Sequence, residues 1–251
     1  MSPPPSALAD LRAQIARLEG AGGRASGVLP FGLPHLDQRL PGGGLALGCL
    51  HEVAGGGNGA VDGAAAACFA AGIAARLPGQ VLWCVVQADL FAPGLAQAGL
   101  PPCRVIHVEA GDERDVLACM EEGLRHGGLA AVVAEAPRLP MTASRRLHLA
   151  AREGGTLGVA LRRWRRQAEA SDFGQPTAAM TRWRVSVLPS APLPVPGVGR
   201  PRWLVELIRA RAGESFEMEL EACDGAGRLG LPAELADGPA AAHGRGRSAA
   251  G

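Results

Sequence analysis

The sequence predicts an α/β fold with a mainly parallel sheet, extended on its C-terminal side by antiparallel strands. Three observations predict it. Between residues 49 and 161, apolar runs short enough for buried strands alternate with longer helix-prone stretches, the pattern of a parallel sheet covered by helices. The first such pair encloses a glycine loop, Gly55 to Gly59. The last third instead strings strand-like runs together without helices. With 251 residues, 47% of them hydrophobic, the chain can bury one sizeable core with appendages.

The elements follow in order. Leu8, Leu11, Ile15 and Leu18 recur at helical spacing, with Arg12, Arg17 and Glu19 between them, and predict a short amphipathic helix. Residues 20–27 are rich in Gly with Ala and Ser and read as a flexible linker. On the residues alone the helix packs on its own domain or docks on another protein. Its decoupling by the linker makes partner docking the expectation. The main domain is expected over 28–235.

Within that domain, Cys49 to Val53 is a short strand and Asp62 to Leu77 an alanine-rich helix. Gln80 to Gln87 is an apolar run bounded by turn residues, a buried strand. Arg104 to Val108, Leu129 to Ala134 and Gly155 to Leu161 read likewise. Glu113 to His126 is a helix with Val116, Leu117, Met120 and Leu124 on one side, and Thr142 to Glu153 is another. Arg182 to Leu188 and Trp203 to Ala210 are short strands joined by a Pro/Gly loop. Ser215 to Glu221 alternates strictly, with Phe216, Met218 and Leu220 against Glu217, Glu219 and Glu221, a half-buried strand with a wet acidic face. These last strands are expected to extend the sheet antiparallel. Residues 236–251 lack periodicity and are expected to be a disordered tail.

Composition excludes several chemistries. All 25 basic residues other than histidine are arginine, and the chain has no lysine. Schiff-base chemistry and the phosphate-gripping lysine of a P-loop are therefore absent. The net charge is only +1, but residues 138–184 hold ten arginines against Glu153, Glu169 and Asp172, a local +7. None of the six cysteines forms a C-x-x-C pair, so they read as reduced, mostly buried thiols of a cytoplasmic protein. His51, His107 and His126 lack partners at metal-ligand spacing, and no metal site is expected. No G-x-S-x-G elbow, membrane-length apolar stretch or signal peptide is present. Thus no catalytic residue, cofactor or membrane association is expected.

A strand, a glycine loop and a helix N-terminus together can cradle phosphates, because backbone N–H groups and the helix dipole face the anion. A working P-loop reads G-x-x-x-x-G-K-[ST]. Starting from Gly55, this chain has Gly56, Gly57, Asn58 and Gly59, then Ala60 in place of glycine, Val61 in place of lysine and Asp62 in place of the hydroxyl residue. A carboxylate facing a triphosphate costs about 4 kcal/mol per charge pair at about 4 Å and an effective dielectric near 20. The loop keeps cradle geometry while its charge is reversed, leaving at most weak nucleotide binding beside a purely structural turn.

Phe31-Gly32-Leu33-Pro34-His35-Leu36-Asp37, Leu40-Pro41-Gly42-Gly43-Gly44-Leu45, Gly48 and His51-Glu52-Val53 resemble the segment that leads into the phosphate loop of RecA, RadA and related proteins. The resemblance is strong over residues 28–63. It implies a RecA-like domain with a degenerate P-loop, and places Glu135 near the Mg²⁺-linked Walker-B aspartate. The catalytic carboxylate region falls near Ala88 and Asp89, where the usual glutamate is missing or shifted. Three functional positions altered together imply a pseudo-ATPase.

Within that superfamily, Thr181-Arg182-Trp183-Arg184-Val185 and Pro201-Arg202-Trp203-Leu204-Val205-Glu206-Leu207 resemble the ImuA family of bacterial mutagenesis cassettes. That resemblance implies a non-catalytic scaffold in the SOS response to DNA damage. It would support mutagenic translesion synthesis with ImuB, a Y-family polymerase homologue, and a DnaE-type polymerase subunit. RecA is a further candidate partner. The alternatives are a SulA-type cell-division inhibitor and an authentic RecA-like ATPase.

Arg162, Arg163, Trp164, Arg165 and Arg166 follow the strand ending at Leu161. In RecA-like order this place belongs to a loop that meets single-stranded DNA. Arginines neutralise phosphates and an exposed tryptophan stacks on bases, so the segment is a candidate contact for DNA or an acidic protein surface. The competing reading is a solvated strand end whose Trp164 folds back. Arg145 and Arg146 lie on a helix and are expected to be exposed rather than functional.

Overall fold

The computed structural model describes residues 27–57, 59–164, 173–191, 196–211 and 213–232. The expected N-terminal helix with Leu8, Leu11, Ile15 and Leu18, the linker up to residue 26, the tail 236–251, and Asn58, Arg165 and Arg166 lie outside these residues.

The chain opens with β1 (Val28–Leu29), α1 (Pro34–Asp37) and β2 (Leu45–Ala46). Next come β3 (Leu50–Gly55), α2 (Gly59–Ala75), β4 (Val81–Val85), α3 (Ala92–Gln97) and β5 (Val105–Glu109). The series continues with α4 (Glu113–His126), β6 (Ala131–Glu135), α5 (Met141–Gly154) and β7 (Leu157–Arg162). It closes with β8 (Thr181–Leu188), β9 (Arg202–Ala210) and β10 (Phe216–Glu221). One eight-stranded sheet has the order β10-β9-β8-β3-β7-β6-β4-β5, and β1 and β2 form a separate antiparallel ribbon. β8 joins β3 in parallel, from His51 against Thr181 to Gly55 against Val185. The antiparallel extension therefore begins one strand later than expected, at β9, because β8 runs parallel to β3 and only β9 and β10 reverse direction in turn.

Helix α2 covers one face. Its alanines Ala65, Ala66, Ala70, Ala71 and Ala74 are buried along with Phe69 and Ile73. Small side chains let the helix approach its surroundings closely on several sides. A Cβ at Gly72 would meet the Cys223 Cβ at 3.0 Å. Phe31, Phe69 and Trp183 meet ring to ring at 5.7–6.0 Å, with Phe216 edge-on to Trp183. The carbonyls of Ala75, Leu77 and Gly79 at the far end of α2 all accept from the Arg104 guanidinium, which satisfies groups the helix leaves unpaired. Helices α4 and α5 cover the other face, burying Val116, Met120, Leu124, Leu147 and Ala151 against Leu50, Val132 and Ala160.

Local chemistry explains the boundaries. Asp112 caps α4 by accepting from the Asp115 N–H at 2.8 Å, and Gly127 ends it in the left-handed region at φ 71°. Asp37, the acidic residue of the opening motif, accepts from the N–H groups of Phe31 at 2.7 Å and Gly32 at 2.9 Å. It thereby fixes the turn that brings Phe31 to α2.

Candidate functional site

Ligands of open α/β sheets bind beyond the carboxyl ends of the strands. Here the ends of β3, β4, β6 and β7 surround a cavity of about 500 Å³, lined by residues that include Ala60, Gly63, Asp89, Glu135, Arg163 and Trp164.

The start of α2, through Ala60 and Gly63, forms one wall, and the glycine loop leads into it. At Gly55 a Cβ would come within 2.8 Å of the Asp62 carbonyl carbon, so the end of β3 presses directly on α2. Helix α2 already starts at Gly59, two positions before Val61, and only residues 56–58 connect it to β3. Val61 is 52% exposed. Asp62 corrects one expectation. Its carboxylate does not stand free before the loop but is buried, accepting from the Val187 N–H of β8 at 2.9 Å. The Gly56 N–H reaches the Val185 carbonyl at 2.9 Å. The loop and the start of α2 are thus tied sideways to β8.

Glu135 ends β6, as the Walker-B placement implied. It is nearly buried, accepting from the Trp83 indole at 3.0 Å and from Arg163 at 2.7 Å. Burial raises it above the ordinary carboxylate range, against the pull of Arg163 and Trp83. The other guanidinium contacts of Arg163 go to Asp89, at 3.2 and 3.3 Å. Its Cγ would touch a Cβ placed on Gly63 at 3.5 Å, so the side chain lies across the first turn of α2. A guanidinium therefore bridges the two carboxylates nearest the phosphate loop. Sequence alone points Arg163 outward, because ion pairs spanning 28 and 74 residues leave no local signal.

The remaining described residues of the basic-aromatic segment also turn inward, contrary to the exposed-loop expectation. Arg162 is fully buried. It donates to Glu52 at 2.5 Å and to the Pro137 carbonyl at 2.6 and 2.9 Å. Glu52 also accepts from Arg182 at 2.8 Å and Thr177 at 3.0 Å. Trp164 is half-buried; its indole donates to the Pro137 carbonyl at 3.0 Å, and its ring meets Phe173 edge-on at 5.2 Å.

Other titratable groups are structural. His51, between the Ala46 carbonyl and the Thr181 hydroxyl at 2.7 Å each, is lowered to about 4 by burial. Burial pushes the Cys84 and Cys223 thiols up to about 12, so neither is a nucleophile at neutral pH. Among the described residues no cluster of three or more His, Cys, Asp or Glu could hold a metal, and no helix is long and apolar enough to cross a membrane.

The RecA fold implies a Mg²⁺–nucleotide site, and these residues do not fit one. Val61 offers no charge, Asp62 is engaged with β8, and Arg163 already bridges Glu135 and Asp89. The strand–glycine loop–helix unit, the carboxylate ending β6 and the C-terminal antiparallel extension define a RecA-like domain. The crystal structure of the RadB recombinase has the same fold, with a TM-score of 0.55 and 17% identity, covering 81% of this chain and 99% of that one. "Protein ImuA" from each of two strains of Caulobacter vibrioides is 42% identical over 233 residues, which is 88% of this chain and 95% of the relative. The chain belongs to the ImuA family. No family model matches it.

Proposed function

We propose that this protein is a non-catalytic RecA-like scaffold for DNA-damage-induced translesion synthesis. It acts in the cytoplasm with a Y-family polymerase homologue of the ImuB type and a DnaE-type polymerase. Family membership supports the process. The observation that carries the non-catalytic reading is the Arg163 bridge between Glu135 and Asp89, beside a loop with Val61 in the lysine position. A phosphoryl-transfer site needs its metal-binding carboxylate free and a cation at the β/γ-phosphates. Here the carboxylate is neutralised internally and the loop cation is missing.

The test is reconstitution with the two polymerase partners. A stable ternary complex without nucleotide, unchanged by ATP or a non-hydrolysable analogue, is the expected result. Assembly that requires ATP would sink the reading. Failure to bind either partner, with inhibition of the division GTPase instead, would favour the cell-division alternative. Any direct DNA contact by the segment after β7 falls to Arg165 and Arg166, since Arg162 and Arg163 are held by Glu52, Glu135 and Asp89.

A further inference from the structure

We propose that the groove between α4 and α5 is a docking site for an acidic, leucine-anchored peptide segment of a partner protein. This inference does not rest on the polymerase reading.

The two helices run in parallel, since each links parallel strands, but they are not evenly spaced. At their C-terminal ends a Cβ on Gly154 would overlap the Leu124 carbonyl oxygen, and one on Gly127 would meet the Gly154 carbonyl oxygen at 2.9 Å. Backbone thus touches backbone there. Towards their N-terminal ends the helices part around a cavity of about 540 Å³. Its floor is apolar: Leu147 is buried, Leu117 and Ala143 are half-buried, and Ala118 is exposed.

The rim carries both signs, with Glu113, Arg114 and Glu121 on α4 and Arg138 and Arg146 on the α5 side. Arg146 is paired with Glu121 at 2.5 Å, whereas Arg114 and Arg138 are exposed and form no ion pair among the described residues. Helix α5 adds a second source of positive potential. It has no side-chain cap and no acidic residue in its first turn, and its first intrahelical bond runs from the Ser144 N–H to the Pro140 carbonyl. The N–H groups of Met141, Thr142 and Ala143 therefore have no partner within the helix. Helix α4 differs, being capped by Asp112 with Glu113 and Asp115 in its first turn. Glu113 also lines the groove, so an incoming carboxylate is directed to the α5 side, between Arg138 and the open helix end.

An apolar floor flanked by the exposed Arg114 and Arg138 and by the open end of α5 suits a peptide that inserts leucine and caps α5 with an aspartate or glutamate. Nucleic acid has no use for such a floor, because its backbone needs only the charges.

The experiment uses the full chain and fluorescence anisotropy. The probe is a short labelled peptide with two leucines one helical turn apart among aspartates and glutamates. Its leucine-to-serine counterpart and an oligothymidylate are the controls. The leucine peptide should bind, and serine replacement should weaken it by at least about tenfold. The double change Arg114→Glu with Arg138→Glu should do the same, as should Ala118→Trp, which fills the groove. Arg145→Glu, on α5 but not lining the groove, should leave affinity unchanged. Both exposed arginines can be altered without touching the core, so they decide the matter even if Ala118→Trp misfolds. Absence of peptide binding, equal binding of the serine peptide, or oligothymidylate binding through Arg114 and Arg138 without peptide binding would each overturn the proposal.

Discussion

Glu52 is a fully buried carboxylate shared by Arg162, Arg182 and Thr177. Removing one partner from such a set leaves a buried charge uncompensated and costs about 3–5 kcal/mol. Glu52→Gln should therefore lower stability by that order, as read from the urea midpoint at unchanged slope. An effect below about 1 kcal/mol would mean that water reaches the pair. His51 predicts a pH dependence. Its folded value, about 4, lies below the ordinary 6.5 because burial disfavours its charged form. The unfolded chain takes up a proton below pH 6.5 that the fold refuses, so this contribution is intact above pH 6.5. It falls as the pH drops towards 4 and is then lost, a change of roughly 3 kcal/mol. His51→Gln should flatten the stability profile over that window relative to the native chain. Neither network was legible in the sequence. The adjacent His51 and Glu52 stood out only as part of a superfamily motif, and their side-chain partners lie 110–130 residues away. Burial of six polar side chains, His51, Glu52, Arg162, Thr177, Thr181 and Arg182, around the β3–β7–β8 seam is a tertiary fact with no local pattern.

Elements with strong local signals were legible. Asp112 and Gly127 mark both ends of α4, which spans the predicted residues 113–126. The alternation over Phe216–Glu221 buries Leu220 and exposes Glu217 and Glu219. The two-residue strands β1 and β2 and the short helices α1 and α3 escaped because none is long enough to display a period. The strand direction of β8 escaped for another reason: composition does not encode which end of the sheet a long connection returns to. The N-terminal amphipathic segment belongs to this scale too. Its stripe, Leu8, Leu11, Ile15 and Leu18, is separated from the domain by the glycine-rich linker. Deleting residues 1–20 should leave the melting temperature nearly unchanged and weaken association with the polymerase homologue or between protomers. A large fall in melting temperature with association intact would assign the segment to its own domain.

For the whole molecule, the features that do not fit a nucleotide site are distributed over α2, β8 and the ends of β4, β6 and β7. The sequence disclosed the loop part, Val61 and Asp62, because a motif has fixed spacing. It did not disclose that Arg163 reaches back across the first turn of α2, or that Asp62 is tied to β8. The native chain should show no ATP turnover above background, with or without single-stranded DNA. If the loop alone were at fault, Val61→Lys with Asp62→Thr would restore nucleotide binding. The fold says otherwise: the arginine between Glu135 and Asp89 stays in place, and a new lysine adds like charge to an occupied site. Binding of Mg²⁺–ATP, followed by equilibrium dialysis, should therefore stay at background in the double variant. It should appear when Arg163→Ala is added, because two carboxylates are then released at the mouth of α2. Arg163→Ala alone should not bind nucleotide, since Val61 supplies no cation and the released carboxylates would repel the phosphates. Binding by the double variant at the level of the triple would mean that Arg163 swings aside freely, and the ion-pair bridge would lose its place as the barrier.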